Sequence, residues 1–468
     1  VSDDLEALFQ HVAGYSAGFL GSLSERPVRP EASREELLAA LDSPLPEEPG
    51  DALSVVEELA KSAEPGILGT TSGRFFGFVI GGATPASVAA DWLASTWDQN
   101  SGLYAGSPAA SVVEEIVGRW LIELLGLPAD VSFGLVTGGQ MASFTGLAAA
   151  RHHVLAARGW DVQARGLTEA PRIRVLANET RHDTIDRALR YLGLGTDSIE
   201  PVAADDQGRM LPGALRVALA AEDAPTIVCA QAGNVNSGAF DSFEEVCELA
   251  HSAGAWVHVD GAFGLWAGAA EPYRHLVRGV ELADSWATDA HKWLNVPYDS
   301  GLVFCAHPES HRAAISVHAN YLIHAEGAER DQMDWNPEFS RRARGFPLYA
   351  GIRTLGRNGV AEMIERCCEH AQRFATILGA DTDVEVLNDV VLNQALVRFL
   401  SGDGEHDTKT RAVVRGVQED GTCWMSGTTW RGVAAMRISV SNWATTTEDV
   451  ERSCEAILRI ARSIHGPS

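Results

Sequence analysis

Ala255-Trp256-Val257-His258-Val259-Asp260-Gly261-Ala262-Phe263 is an apolar run that ends on a carboxylate and a glycine. On an extended strand alternate side chains share a face, so His258 and Asp260 point the same way. Similar runs recur on both sides of it. Strands are expected at 133–136, 173–177, 226–230, 256–259, 285–288 and 301–305, with helices at 141–153, 182–192 and 243–253 between them. Strands separated by helices imply βαβ units and an α/β fold with a mostly parallel sheet. Such sheets hold ligands at the carboxyl ends of their strands, which is where Asp260 falls.

Outside this region the pattern changes. The first 74 residues read as a helical arm, broken by Pro44, Pro46 and Pro49. Residues 75–315 form the large domain. Residues 316–468 read as a linker and a smaller α+β domain, with a helix at 359–378, strands at 384–387, 395–400 and 436–440, and a closing helix at 447–462.

Composition narrows the function. The chain has 468 residues, 46% hydrophobic and 21% charged, which suits an ordinary folded protein. Its 37 basic and 63 acidic side chains leave a net charge of −26, which repels nucleic-acid phosphates and anionic lipids. The uncharged stretch 131–150 is long enough to cross a bilayer. It is interrupted by Ser132, Thr137, Gly138, Gly139, Gln140, Ser143 and Thr145, so a strand, loop and helix fit it better. The N-terminus shows no positive n-region and no apolar core, so no signal peptide is expected. Seven cysteines without a Cys-x-x-Cys pair suggest free thiols in a reducing cytoplasm.

Four strand-end motifs could carry chemistry. Thr137-Gly138-Gly139-Gln140 lies between a strand and a helix, where free N–H groups favour an anion, although a plain tight turn has the same look. His182 opens a helix, as a surface residue or a stacking ring. Asp260 ends its strand, and His258-x-Asp260 admits a metal pair. That reading belongs to all-β folds, so no metal is expected. Asp289-Ala290-His291-Lys292-Trp293 places a lysine between a histidine and a tryptophan, with Trp286 upstream. Such surroundings could desolvate the amine and ready it for a Schiff base. An anion cradle, a stacking ring, a strand-end carboxylate and a lysine are together what pyridoxal 5'-phosphate requires.

With these motifs the sequence resembles the pyridoxal-phosphate group II decarboxylases, the family of aromatic amino acid and glutamate decarboxylases. These share the aspartate-aminotransferase fold, PLP fold type I. The resemblance extends from about residue 75 to 444. It rests on 258–262 and 289–293, on the segment from Trp97 to Ser107-Pro108-Ala109, and on Ser340-Arg341-Arg342-Ala343-Arg344. It implies that Lys292 holds the cofactor, Asp260 pairs with its ring nitrogen, His182 stacks on the ring and Ala262 packs on the other face. Gly138, Gly139 and Gln140 would bind the phosphate, with His291 beside the lysine. It further implies a homodimer with a swapped N-terminal arm.

The expected activity is decarboxylation of an L-amino acid by a carboxy-lyase. If the family's pocket is kept in place, Phe76, Phe78, Val79 and Ile80, with Trp97 and Tyr104 nearby, would line an apolar entrance without arginine, which favours a neutral, hydrophobic or aromatic substrate; each of them is equally compatible with core packing. Two departures from the family leave the reaction open. No tyrosine lies between Ala325 and Trp335, where the family often carries one thought to reprotonate the substrate carbon; Gln332 or Met333 takes its place. The threonine often found after the glycine of Gly233-Asn234-Val235-Asn236 is also absent. Oxidative deamination by an aldehyde synthase, aminotransfer, and a non-catalytic cofactor-binding homologue remain alternatives.

Overall fold

Seven strands assemble the large sheet: β1 (Ser132–Val136), β2 (Arg174–Asn178), β3 (Ile199–Val202), β4 (Thr226–Gln231), β5 (Trp256–Asp260), β6 (Ser285–Asp289) and β7 (Gly301–Cys305). The computed structural model describes residues 2–317 and 329–464. The strand order is β1-β7-β6-β5-β4-β2-β3. Neighbours from β3 through β6 pair in parallel, whereas β7 runs antiparallel to both β6 and β1. Every strand except β3 is buried along its whole length, which explains why their sequences are near-continuous apolar runs. The edge strand β3 was not expected. Its four residues include Glu200 and Pro201, both tolerated at a sheet edge and both contrary to an apolar pattern.

The registers bring polar residues to one edge of the sheet. Gln231 at the end of β4 lies beside Asp260, and Asp289 at the end of β6 lies beside Gly301. Gly301 also faces Val136, the last residue of β1. A Cβ on Gly301 would fall 2.4 Å from the Gly138 backbone, so only glycine lets β7 pass this close to the loop after β1. The helix Gly139–Ala156 then packs across β5, β6 and β7.

A second, antiparallel sheet holds β8 (Val384–Val386), β9 (Gln394–Phe399), β10 (Ser426–Trp430) and β11 (Val433–Ser439), in the order β10-β11-β9-β8. The β10–β11 hairpin turns on Arg431 and Gly432, both with positive φ, as a type I′ turn demands. Strand β10 was also unforeseen, because Ser426-Gly427-Thr428-Thr429 carries no apolar alternation. A long helix, Gly345–Gly379, breaks at Gly356 (φ 63°). It begins earlier than expected because Gly345, Pro347 and Gly351 look like helix breakers. Three helices, Ser2–Gly21, Arg34–Leu41 and Ala52–Ala63, make up most of the N-terminal segment. No helix among the described residues is long and apolar enough to cross a membrane.

Candidate active site

The polar edge of the large sheet opens into a cavity of about 440 Å³, closed on the far side by the small sheet. Lys292, Asp260, His182, Ala262, Gly139, Gln140 and Phe78 all line it. Residues more than 150 positions apart therefore meet in one place.

The turn after β1 supplies the cradle. Gly138 caps the helix Gly139–Ala156 in an extended conformation, and its carbonyl receives the N–H groups of Met141 and Ala142. The Gly139 N–H, at the positive end of the helix dipole, donates to Asp289 Oδ1 at 2.5 Å. Asp289 Oδ2 lies 2.8 Å from Lys292 Nζ, and the lysine side chain is 24% exposed. Trp286 and Trp293 belong to the core instead, and Trp286 gives its indole N–H to Val280 O. The tryptophan setting expected around the amine is thus replaced by a carboxylate. The sequence reading gave Asp289 no role, although its three-residue spacing from Lys292 on one turn was a usable signal.

His291 lies just outside the cavity lining, behind the cradle. A Cβ on Gly138 would sit 3.2 Å from His291 Cε1. Its Nδ1 accepts the Ser300 N–H at 3.1 Å, and Tyr298 packs on its ring at 4.3 Å. Burial lowers the His291 pKa below the ordinary value. His182 is exposed and caps the helix Asp183–Tyr191, with Nδ1 accepting the Thr184 N–H. In the neutral ring this acceptor role leaves the hydrogen on Nε2. His182 thus caps its helix and lines the cavity at once.

Asp260 is nearly buried, and among the described residues its Oδ1 accepts only the Ala262 N–H, at 3.2 Å. His258 shares its strand face but packs beneath the helix, against Gly146, with Nδ1 on Ser285 Oγ at 2.9 Å. Burial lowers the His258 pKa to about 3. The small sheet adds Thr428 from β10 and Arg437 from β11. Arg437 donates to Val235 O at 3.2 Å, and burial lowers its pKa to about 10, so it stays charged at neutral pH.

Other expectations need correction. Trp97 and Tyr104 do not line this cavity: Trp97 meets Phe346 edge-on, and the Tyr104 N–H is tied to Asp331 Oδ1. Phe76 is fully buried against Phe374. Phe78 and Val79 do line the cavity, both held at positive φ, a strained state for residues other than glycine. The entrance is not free of arginine either, since Arg181 and Arg437 are part of the lining. Arg181 is neutralised by Asp186 at 2.6 Å. In the segment lacking a tyrosine, 325–328 lie outside the described residues, and Gln332 and Met333 are buried away from the cavity. The Gln332 amide is occupied by Ser111 O and Arg330.

Comparison with known proteins bears on the family and the fold. The pyridoxal-dependent decarboxylase conserved domain matches residues 34–400. The chain belongs to the pyridoxal-dependent decarboxylase family. It is 25% identical to an aromatic-L-amino-acid decarboxylase of Bacillus atrophaeus, over 95% of this chain and 93% of that protein. It is 26% identical to a 4-hydroxyphenylacetaldehyde synthase of Rhodiola rosea, over 97% and 94% of the two chains. In fold it is similar to the crystal structure of Oryza sativa TDC with PLP and tryptamine, with a TM-score of 0.93, 24% identity, and coverage of 100% of this chain and 99% of that one. The protein is a PLP-dependent carboxy-lyase of fold type I, and its cofactor is pyridoxal phosphate.

The residues present suit that cofactor. Three buried polar atoms of cavity-lining residues, Gln231 Nε2, Gln140 Oε1 and Arg437 Nε, have no protein partner among the described residues. Buried polar atoms are rarely left so, and a polar ligand would satisfy them.

Proposed function

We propose that the enzyme decarboxylates a neutral, hydrophobic or aromatic L-amino acid, with Lys292 as the covalent anchor of the cofactor. One observation carries this reading: the Lys292 amine, the Asp260 carboxylate and the N-terminus of the helix Gly139–Ala156 converge on a single cavity. Pyridoxal phosphate supplies an aldehyde for an amine and a ring that withdraws electrons from the substrate carbon. Lys292 would hold that aldehyde. Asp260 would keep a proton on the ring nitrogen by pairing with it. Gly138, Gly139 and Gln140 would take the phosphate, His182 would cover one face of the ring and Ala262 the other.

Arg437 supports the choice of substrate class. Among the described residues lining the cavity, its cation alone has no carboxylate partner, since Arg181 and Lys292 are paired. One such charge serves the α-carboxylate that every amino acid carries. It would hold that group in place while the bond to it breaks. No second free cation remains for an acidic side chain, and Phe78 and Val79 offer apolar surface.

A specific observation favours a second reading, oxidative deamination to an aldehyde. Neither Gln332 nor Met333, which stand where the family often carries a proton-donating tyrosine, brings an acidic proton to this cavity, and the loss of that donor would favour reaction of the substrate carbon with oxygen. We further infer a homodimer, since Leu5 and Phe9 in the arm and Trp92, Leu93 and Trp97 in the helix Pro85–Trp97 are exposed apolar side chains that a second copy would cover. The seven free, buried thiols support a cytoplasmic setting.

The test combines trapping with product analysis. Borohydride should fix the cofactor on the peptide containing Lys292. Carbon dioxide, peroxide and ammonia should then be measured against a panel of neutral and acidic amino acids. Carbon dioxide alone supports decarboxylation, and all three products support the aldehyde synthase. An adduct on Lys61 or Lys409, or a clear preference for glutamate, overturns the proposal.

A further inference from the structure

An anion already holds Gly139 and Lys292, two of the residues that line the cavity, beside the turn where the cofactor's phosphate is expected. Asp289 is 2% exposed and ends β6 at the mouth of the helix Gly139–Ala156. Its Oδ1 takes the Gly139 N–H at 2.5 Å, and its Oδ2 takes Lys292 Nζ at 2.8 Å. His291 Nε2 lies 3.4 Å from Oδ1. A Cβ on Gly139 would stand only 2.7 Å from Oδ2, so the carboxylate lies close against the first turn of the helix.

One N–H cannot bond fully to two anions at once. A carboxylate beside an arriving phosphate also repels it, strongly so in a site sheltered from water. Resting on the reading of Lys292 and of the 138–140 turn given above, we propose that Asp289 is a built-in competitor of the cofactor's phosphate. In the unloaded chain it occupies Gly139 and pairs with Lys292, so neither is left without a partner. For the cofactor to seat, Asp289 must give up both, and the carboxylate then stands as a charge next to the phosphate. An uncharged residue of the same shape would hold Gly139 and Lys292 less strongly, because an amide oxygen accepts more weakly than a carboxylate, and it would not repel the phosphate.

The experiment uses the full-length protein stripped of cofactor. Wild type and Asp289→Asn are each titrated with pyridoxal phosphate, with unphosphorylated pyridoxal, and with inorganic phosphate as a competitor. Binding is read from the visible absorbance of the lysine-bound cofactor. The Asn variant should bind pyridoxal phosphate about tenfold more tightly, on the order expected for removing one close like charge. Inorganic phosphate should compete better in the variant, and pyridoxal affinity should change far less. Circular dichroism checks folding, and Asp289→Ser serves as a second uncharged variant. Equal gains for both aldehydes would place the effect on Lys292 alone and overturn the proposal. Weaker binding of pyridoxal phosphate would make Asp289 a cofactor ligand and overturn it too. A wild-type chain that takes up no cofactor would instead overturn the reading of the site on which this inference stands.

Discussion

Replacing Arg341 with methionine should destabilise the protein severely, through a carboxylate left behind. The Arg341 and Glu114 side chains are 0% and 1% exposed, and they meet through two contacts of 2.8 and 3.2 Å. Arg341 also donates to Ser101 O at 3.0 Å and to Leu135 O at 2.7 Å, joining the helix Pro108–Leu125 to β1 just before the Gly138 cradle. Removing the guanidinium leaves Glu114 charged and dry, which typically costs about 3–5 kcal/mol. Replacing both partners by apolar side chains is often nearly neutral, because the desolvation cost goes with the charges. Arg341→Met should therefore lose about 4 kcal/mol, and Arg341→Met/Glu114→Leu should recover at least half of that. Urea titration of wild type, both single variants and the double variant gives the coupling. The reasoning fails if Arg341→Met costs less than about 1 kcal/mol, as an exposed ion pair would. It also fails if the double variant is as unstable as the sum of the singles.

Two further outcomes can be checked with standard assays. Asp260→Ala should abolish most carbon dioxide release while circular dichroism stays unchanged; normal turnover would remove its assigned role. Lowering the pH from 7 to 5 should destabilise the fold, because burial holds His258 and His311 neutral, with pKa values lowered to about 3. Below pH 6.5 the unfolded chain binds the extra protons, so each histidine withdraws about 2 kcal/mol by pH 5. Burial raises the Asp241 pKa to about 6, so its stabilisation is lost as pH rises through that value and returns on acidification. That restores only about 1 kcal/mol at pH 5, leaving a net loss of about 3 kcal/mol. Thermal melts that are flat from pH 7 to 5 would contradict this.

The large sheet was legible because its buried strands are apolar without interruption and its helices alternate with them. The strand ends carried most of the site for the same reason, since Asp260 and the 138–140 turn fall where a parallel sheet presents its ligands. What escaped the sequence shares a different origin. Strand β3 sits at an edge, where Glu200 and Pro201 cost little. Arg437 reaches the cavity from the small sheet, and no local pattern announces that packing. Trp97 and Tyr104 pointed the other way: the resemblance put them at the entrance, but the helix Pro85–Trp97 carries Trp97 to Phe346, and the Tyr104 N–H is tied to Asp331.

The treatment of buried acids singles out Asp260 independently of any motif. Glu114 is matched by Arg341, and Asp289 by Lys292. Asp284, next to the opposite end of β6, is clamped by His251 and His307 and accepts the Val257 N–H; burial works against these contacts, yet its pKa is lowered to about 2. Asp241 has no ion pair among the described residues, but it accepts the N–H groups of Met210 and Gln231 and an amide hydrogen of Asn178. Asp260 has neither compensation: one N–H at 3.2 Å and no cation among the described residues. A carboxylate in so sheltered a place is almost always paired. Each other acid finds its partner within the chain. Asp260 faces a cavity, and the protonated ring nitrogen of the cofactor is a cation of the kind it lacks.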